Sequence, residues 1–289
     1  MNKLSLGTVQ FGMPYGIANL SGRVPEQEVE SILDYARKQN IDSIDTAIGY
    51  GESEATLGRY SLAGFEVVSK IGGLPAGCAN ITEWVTDQIR GSLDRLGVNA
   101  LHGILLHDPG QLLREGGPDI YAALIAAKER GMVEKVGISI YDPLELEDLI
   151  KRFSFDIVQA PFNVLDNRLI ETGWLDRLHK MDVEFHVRSI FLQGLLLMNG
   201  ATRPAKFQRW NGLWSAWGEW LKESGLSPVQ ACLRYSQSFP QISRVIVGID
   251  SLLQLQEICE AAEGDLPDVP PEIHTGDLDL LNPSRWSHL

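Results

Sequence analysis

Three cysteines in 289 residues, Cys78, Cys232 and Cys259, lie far apart and form no Cys-x-x-Cys pair. That scarcity excludes a disulfide framework and a thiolate zinc site, and it fits a reducing compartment. Positive charge is in deficit: 25 Lys and Arg stand against 38 Asp and Glu, for a formal net charge of −13. Such a surface repels nucleic acid and anionic lipid, so neither a nucleic acid nor a membrane is expected as a partner. No apolar run reaches the roughly 18 residues that span a bilayer. The opening MNKLSLGTVQFG has too short an apolar stretch for a signal peptide, so a cytoplasmic protein is expected. Two phosphate-binding signatures are missing too. No Gly-x-Gly-x-x-Gly follows the first strand pattern, and no Gly-Lys-Ser/Thr phosphate loop occurs. That argues against a Rossmann dinucleotide fold and a P-loop enzyme. No Pro-, Gly- or Ser-rich linker divides the chain, so a single domain over 1–289 is expected.

What is present is a rhythm. Hydrophobic residues make up 44% and charged residues 22%, the balance of a globular protein. Short β-rich runs are read at 4–10, 43–46, 65–70, 102–107, 136–139, 157–160, 185–189 and 244–247. They are apolar and brief, as parallel strands buried on both faces are. Amphipathic segments separate them. Val29, Ile32, Leu33 and Ala36 share one helical face, as do Val85, Ile89, Leu93 and Leu96. Asn80 with Glu83 reads as a helix start, and Gly131 as a helix stop. Eight evenly spaced strand–helix pairs predict an α/β fold, a single (β/α)8 TIM barrel, over an open doubly wound sheet. Two stretches break the rhythm. Residues 195–225 read as a long loop carrying Trp210, Trp214, Trp217 and Trp220, and 264–289 as an irregular C-terminal tail.

In such a barrel the chemistry sits where strands end, because the following loops carry the variable groups. The second strand ends at Asp45, with Tyr50 in its loop; the third ends at Lys70 and the fourth at His107. Each has an ordinary structural role open to it: packing for Tyr50, a solvated strand end for Lys70, a cap for Asp45, a core imidazole for His107. Together, on three neighbouring strands, they suggest one unit. A lysine at a barrel rim needs a counter-charge, and Asp45 supplies one. An ammonium beside a phenol favours the phenolate, which lets the phenol exchange its proton near neutral pH. A histidine beside it can orient a substrate oxygen. This set contains no nucleophile and no metal triad. It suits carbonyl–alcohol interconversion in which a cofactor supplies the hydride. A Schiff-base lyase built on Lys70 and a cofactor-binding redox-sensing partner subunit are the competing readings.

The pattern Asp-Thr-Ala-x-x-Tyr-Gly-x-Ser-Glu, a strand-end lysine, and Leu-Leu-His-Asp-Pro resembles the aldo-keto reductases. LSLGTVQFG, SLDRLGVNALHGILLHDP, KVGIS, VQAPFNVLD and RVIVGIDSLLQL extend the likeness over nearly the whole chain. The resemblance implies a barrel oxidoreductase with NADP(H), or less often NAD(H), and a small-molecule carbonyl or alcohol substrate. It assigns the catalytic group to Asp45, Tyr50, Lys70 and His107, with Tyr50 as acid and base. It places the cofactor against Gly7 and Thr8, the carboxamide on Ser139 and Gln159, and the pyrophosphate on the loop with Leu192, Gly194 and Leu195. The adenosine end falls to Gly248, Asp250, Ser251 and Gln254. Departures mark an outlying branch. Ser139 is followed by Ile140 where the family commonly has asparagine, and Arg188 stands where an aromatic ring usually underlies the nicotinamide. Asp250 replaces the basic residue that meets a 2′-phosphate, so NADH is expected to serve at least as well as NADPH. An NAD-dependent sugar or alcohol dehydrogenase working oxidatively is the alternative within this class.

The remaining candidates are peripheral. Trp210, Trp214 and Trp217 fall at helical spacing and read as a packed face or as a substrate wall suited to a sugar. Tyr15 and Arg23 are expected to border the pocket. His102 is expected at the opposite rim, and His186 in a structural role.

Overall fold

The computed structural model describes residues 2–19 and 21–289. Eight parallel strands close into a barrel in chain order. They are β1 (Leu4–Gly7), β2 (Ser43–Asp45), β3 (Glu66–Ile71), β4 (Leu101–Leu106), β5 (Val133–Ser139), β6 (Ile157–Pro161), β7 (Glu184–Arg188) and β8 (Arg244–Gly248). The helices between them are α1 (Glu26–Lys38), α2 (Ser53–Leu57), α3 (Ile81–Leu96), α4 (Gly117–Glu129), α5 (Glu145–Arg152) and α6 (Trp174–Lys180). Then α7 (Asn211–Ser224) and α8 (Pro228–Gln237) precede β8, and α9 (Leu252–Ala261) follows it. The expected (β/α)8 barrel is therefore the observed fold. Among the described residues no helix is long and apolar enough to cross a membrane.

Local chemistry accounts for the elements. Asn80 caps α3 by accepting from the Glu83 amide, and Gly97 ends that helix in the left-handed region. α1 turns Val29, Ile32, Leu33 and Ala36 inward onto the sheet. Inside the barrel, Val68, Leu105 and Ile157 form their own apolar layer. Space there is tight: a Cβ on Gly103 would lie 2.6 Å from Ile157 Cδ1. At the N-terminal rim Arg244 bonds Asp42 and Glu66 at 2.7 and 2.6 Å. His102 lies there as expected, 3.3 Å from Glu184.

Most strand boundaries differ from the sequence reading by at most one residue; the larger differences are these. β1 stops at Gly7, not at residue 10, because the Thr8 hydroxyl bonds the Asp45 carbonyl and Val9–Gly12 coils into a helical turn. β5 begins at Val133, three residues early, because Val133 and Lys135 pair with Leu101 and Gly103 of β4. Half of the stretch read as a long loop at 195–225 is α7, whose Trp214, Trp217 and Trp220 are buried. The tail holds helical turns at Pro271–Ile273, Leu278–Leu281 and Pro283–His288. Indole N–H groups tie α7 and the turn before it to that tail, Trp210 donating to Asp277 and Trp220 to the Asp268 carbonyl.

Candidate active site

Register brings the polar strand ends to one rim. Gly7 pairs with Asp45 and with Gly248, Ser139 with Gln159, and Pro161 with Arg188. Lys70 is wholly buried, and its Nζ donates to Asp45 Oδ1 at 2.6 Å, to the Thr46 carbonyl at 2.9 Å and to the Tyr50 hydroxyl at 3.4 Å. Burial acts to lower the Lys70 pKa; the Asp45 carboxylate and Tyr50 outweigh it, and the net shift is upward. An ammonium held charged in a dry site stabilises any negative charge that forms on the neighbouring phenol. This amine is buried behind Tyr50 and committed to three acceptors, a poor geometry for attack on a substrate. His107 meets Tyr50 edge to face, with ring centroids 5.8 Å apart. Burial first, then the Lys70 and Arg188 charges, lowers its pKa to about 4 against the pull of Asp45. His107 is thus neutral at physiological pH.

The Tyr50 loop is fastened from several sides. A Cβ on Gly12 would fall 1.7 Å from the Tyr50 carbonyl oxygen, so this close approach demands glycine. Ser53 Oγ donates toward the Thr8 carbonyl at 2.8 Å and lies 2.9 Å from the Thr8 hydroxyl. Glu54, also buried, accepts from Ser69 Oγ at 2.5 Å, from Ser92 Oγ, and from Arg95 Nε at 2.8 Å. The Ser-Glu pair that follows Tyr50-Gly51 in the sequence therefore clamps the loop to β3 and α3. Its structural role was not apparent from the motif.

A cleft of about 430 Å³ opens above the cluster. Of the residues expected at the site, Gly7, Thr8, Asp45, Tyr50, His107, Arg188, Gly194, Gly248, Asp250 and Gln254 line it. The others stand behind or beside it. Lys70 lies beneath Tyr50. The Ser139 hydroxyl donates to Gln159 Oε1 at 3.2 Å, and Gln159 Nε2 donates to Asp45 Oδ2 at 2.7 Å, so this buried pair braces the Asp45 carboxylate. Leu192 and Leu195 have their side chains in the core. Ser251 caps α9 by accepting from the Gln254 amide. Asp250 Oδ1 accepts from Asn19 Nδ2 at 3.1 Å, and burial raises its pKa.

The peripheral candidates divide between those placed as read and those that are not. Tyr15 lines the cleft, whereas Arg23 turns away to the Phe11 carbonyl and the Thr56 hydroxyl. Trp210, Trp214 and Trp217 do not reach the cleft; Trp214 and Trp217 line a separate cavity of about 640 Å³. Tyr141 lines the cleft and was not anticipated, and Gln193 lines it from within the loop expected at the pyrophosphate. Tyr141 follows β5 by two residues, and that spacing was the available signal.

The sequence profile of the Aldo/keto reductase family matches residues 3–269. An oxidoreductase of Bacillus subtilis, YqkF, named as uncharacterized, is 24% identical over 91% of both chains. The 2,5-diketo-D-gluconic acid reductase B of a Corynebacterium species is 35% identical over 37% of this chain and 39% of its own. Among solved structures, the holo form of aldo-keto reductase AKR11C1 from Bacillus halodurans superposes with a TM-score of 0.71 at 19% identity. That match covers 93% of this chain and 89% of the other. The class is a nicotinamide-dependent oxidoreductase acting on small carbonyl compounds. The chain belongs to the aldo/keto reductase family. The residues in the cleft fit a nicotinamide dinucleotide. Gln10, packed over Gly248, keeps its Oε1 buried without a hydrogen-bond partner among the described residues, an acceptor suited to a ribose hydroxyl or an amine.

Proposed function

We propose that the protein interconverts a carbonyl group and an alcohol with Tyr50 as general acid and base. The observation that carries this reading is the buried Lys70 Nζ, bonded to both Asp45 and Tyr50. In the reductive direction the Tyr50 hydroxyl gives its proton to the carbonyl oxygen as that oxygen becomes an alkoxide. The Lys70 ammonium stabilises the phenolate left behind, and Asp45 keeps the ammonium charged and fixed. His107, held neutral, retains an N–H that can hydrogen-bond the same oxygen and orient the carbonyl. When bound, the nicotinamide supplies the hydride to the carbonyl carbon. In the oxidative direction Tyr50 takes the alcohol proton.

NADH is the cofactor favoured over, or used as well as, NADPH. Asp250 and Gln254 line the far end of the cleft, and no Lys or Arg lines that end among the described residues. A carboxylate there opposes a 2′-phosphate and accepts from a free ribose hydroxyl. A sugar carbonyl is one candidate substrate, in keeping with the relative named for 2,5-diketo-D-gluconic acid. The test is to incubate the protein with an aldehyde and a nicotinamide cofactor deuterated at the transferable position. The account expects deuterium on the new carbinol carbon; cofactor left unoxidised with every aldehyde and ketone tried would overturn it.

A further inference from the structure

The cleft holds a cation for which the described residues supply no counter-charge. Arg188 ends β7 and is the only Lys or Arg among the described residues lining the cleft. Its Nη2 donates to the Ile140 carbonyl at 3.0 Å, and Nη1 lies 3.4 Å from the Ser189 hydroxyl. The guanidinium stacks 4.4 Å from the Tyr141 ring centroid. Among the described residues no carboxylate lies within ion-pairing distance. The chain has 38 acidic residues and supplies them elsewhere. Arg168 is paired with Asp166 at 2.7 Å, and Arg244 with both Asp42 and Glu66. A guanidinium has five N–H donors. Arg188 commits two, one on each Nη, and its Nε, for which the described residues supply no acceptor, is not buried, so that donor stays open.

Its surroundings define what would pair with it. Met13, Tyr15 and Tyr141 all line the cleft and are each more than a third exposed. Tyr15 is steadied by a hydrogen bond from Gln193 Nε2 at 2.9 Å. Arg188 lies near enough to His107 for its charge to help lower the histidine pKa. Arg188 thus lies against an exposed tyrosine and near His107, the residue read as orienting the substrate oxygen.

We propose that Arg188 is a specificity-determining residue that binds an oxyanion carried by the substrate, so that the preferred substrates are carbonyl compounds bearing a carboxylate or phosphate. This rests on the oxidoreductase reading above and adds the charge of its substrate. A bidentate guanidinium–oxyanion pair is both strong and directional, and the stacked Tyr141 ring holds the guanidinium plane in place.

The test compares para-formylbenzoate, its neutral methyl ester and para-formylphenyl phosphate with native protein and with Arg188→Met and Arg188→Lys. The readout is the ratio of kcat/KM for each anion to that for the ester, with cofactor affinity measured separately. The native protein should prefer an anion, and Arg188→Met should cut that preference by about 10- to 100-fold, mainly through KM. Arg188→Lys should restore part of it, and added salt should weaken it. Whichever anion gives the larger native ratio names the oxyanion. No native preference, or a ratio unchanged in Arg188→Met however far both activities fall, would overturn the inference. Isothermal titration of para-formylbenzoate and of para-formylphenyl phosphate into the cofactor-loaded protein keeps the two readings apart. Absent turnover of all three aldehydes sinks the proposed activity, while anion binding that is lost in Arg188→Met still supports Arg188. Absence of anion binding by the native protein removes Arg188 from that role.

Discussion

Replacing Asp45 by asparagine removes one charge and almost no volume, and the consequence can be worked from the geometry. Lys70 Nζ has no solvent exposure and sits 2.6 Å from Asp45 Oδ1. In the asparagine variant an amide oxygen can still accept from Nζ, but the ammonium loses its counter-charge and the new NH2 faces the Gln159 amide donor. Breaking a buried ion pair by removing one member costs about 3–5 kcal/mol. At about 2–3 °C of Tm per kcal/mol for a chain of this size, the Asp45→Asn protein should melt about 6–15 °C lower. The pH dependence should move as well. In the native protein Lys70 is raised above its ordinary value, so the stability it contributes is complete below the unfolded lysine value and is lost only as pH rises through the higher folded one. In Asp45→Asn burial acts with the Asp45 opposition removed, and the ammonium sheds its proton at lower pH. Tyr50 then loses its cation, and the alkaline limb of the kcat profile shifts downward. Calorimetry and a pH–rate profile read both effects. A melting point within about 2 °C of native, with the alkaline limb unmoved, would refute the claim that the pair acts as one unit.

Two more predictions follow from charges in the cleft. His107, lowered to about 4, must gain its proton on unfolding below the ordinary histidine value, so it costs the fold stability as pH falls from about 6.5 to about 4. His107→Gln should therefore lose less stability than the native protein across that window in urea titrations; identical slopes would remove the effect. Native kcat/KM with NADH should equal or exceed that with NADPH, and Asp250→Arg should shift the ratio toward NADPH; a strong native preference for NADPH, untouched by that substitution, would take Asp250 out of the ribose site.

Much of the barrel was legible because its signals are local. The apolar run at 102–107 differs from β4 by one residue at each end, and the run at 244–247 differs from β8 by one residue at its C-terminal end. Asn80 and Glu83 met as the spacing implied. The three polar strand ends and the Tyr50 loop were readable as one group because a barrel puts every strand end on one rim. What escaped depends on contacts between distant segments. Gln159 reaches Asp45 across 114 positions of sequence, and no local pattern shows that it braces the carboxylate. Ser53 and Glu54 looked like part of a catalytic motif, yet their hydroxyl and carboxylate hold Thr8, Ser69, Ser92 and Arg95. The tryptophans of α7 and the turn before it could not be assigned to core or cleft until the tail segment that accepts from Trp210 and Trp220 was placed against them. Arg188 stood out from the sequence, but its lack of a counter-charge is a fact of the fold.

The most direct test of the catalytic assignment is kcat for carbonyl reduction by Tyr50→Phe, with cofactor affinity measured alongside. Phenylalanine keeps the ring against His107 and Lys70 and deletes only the hydroxyl that carries the proton. General acid catalysis contributes about 10²–10⁴-fold, so kcat should fall by that factor while cofactor affinity stays within a few-fold. A Tyr50→Phe protein that keeps most of its kcat would contradict the account.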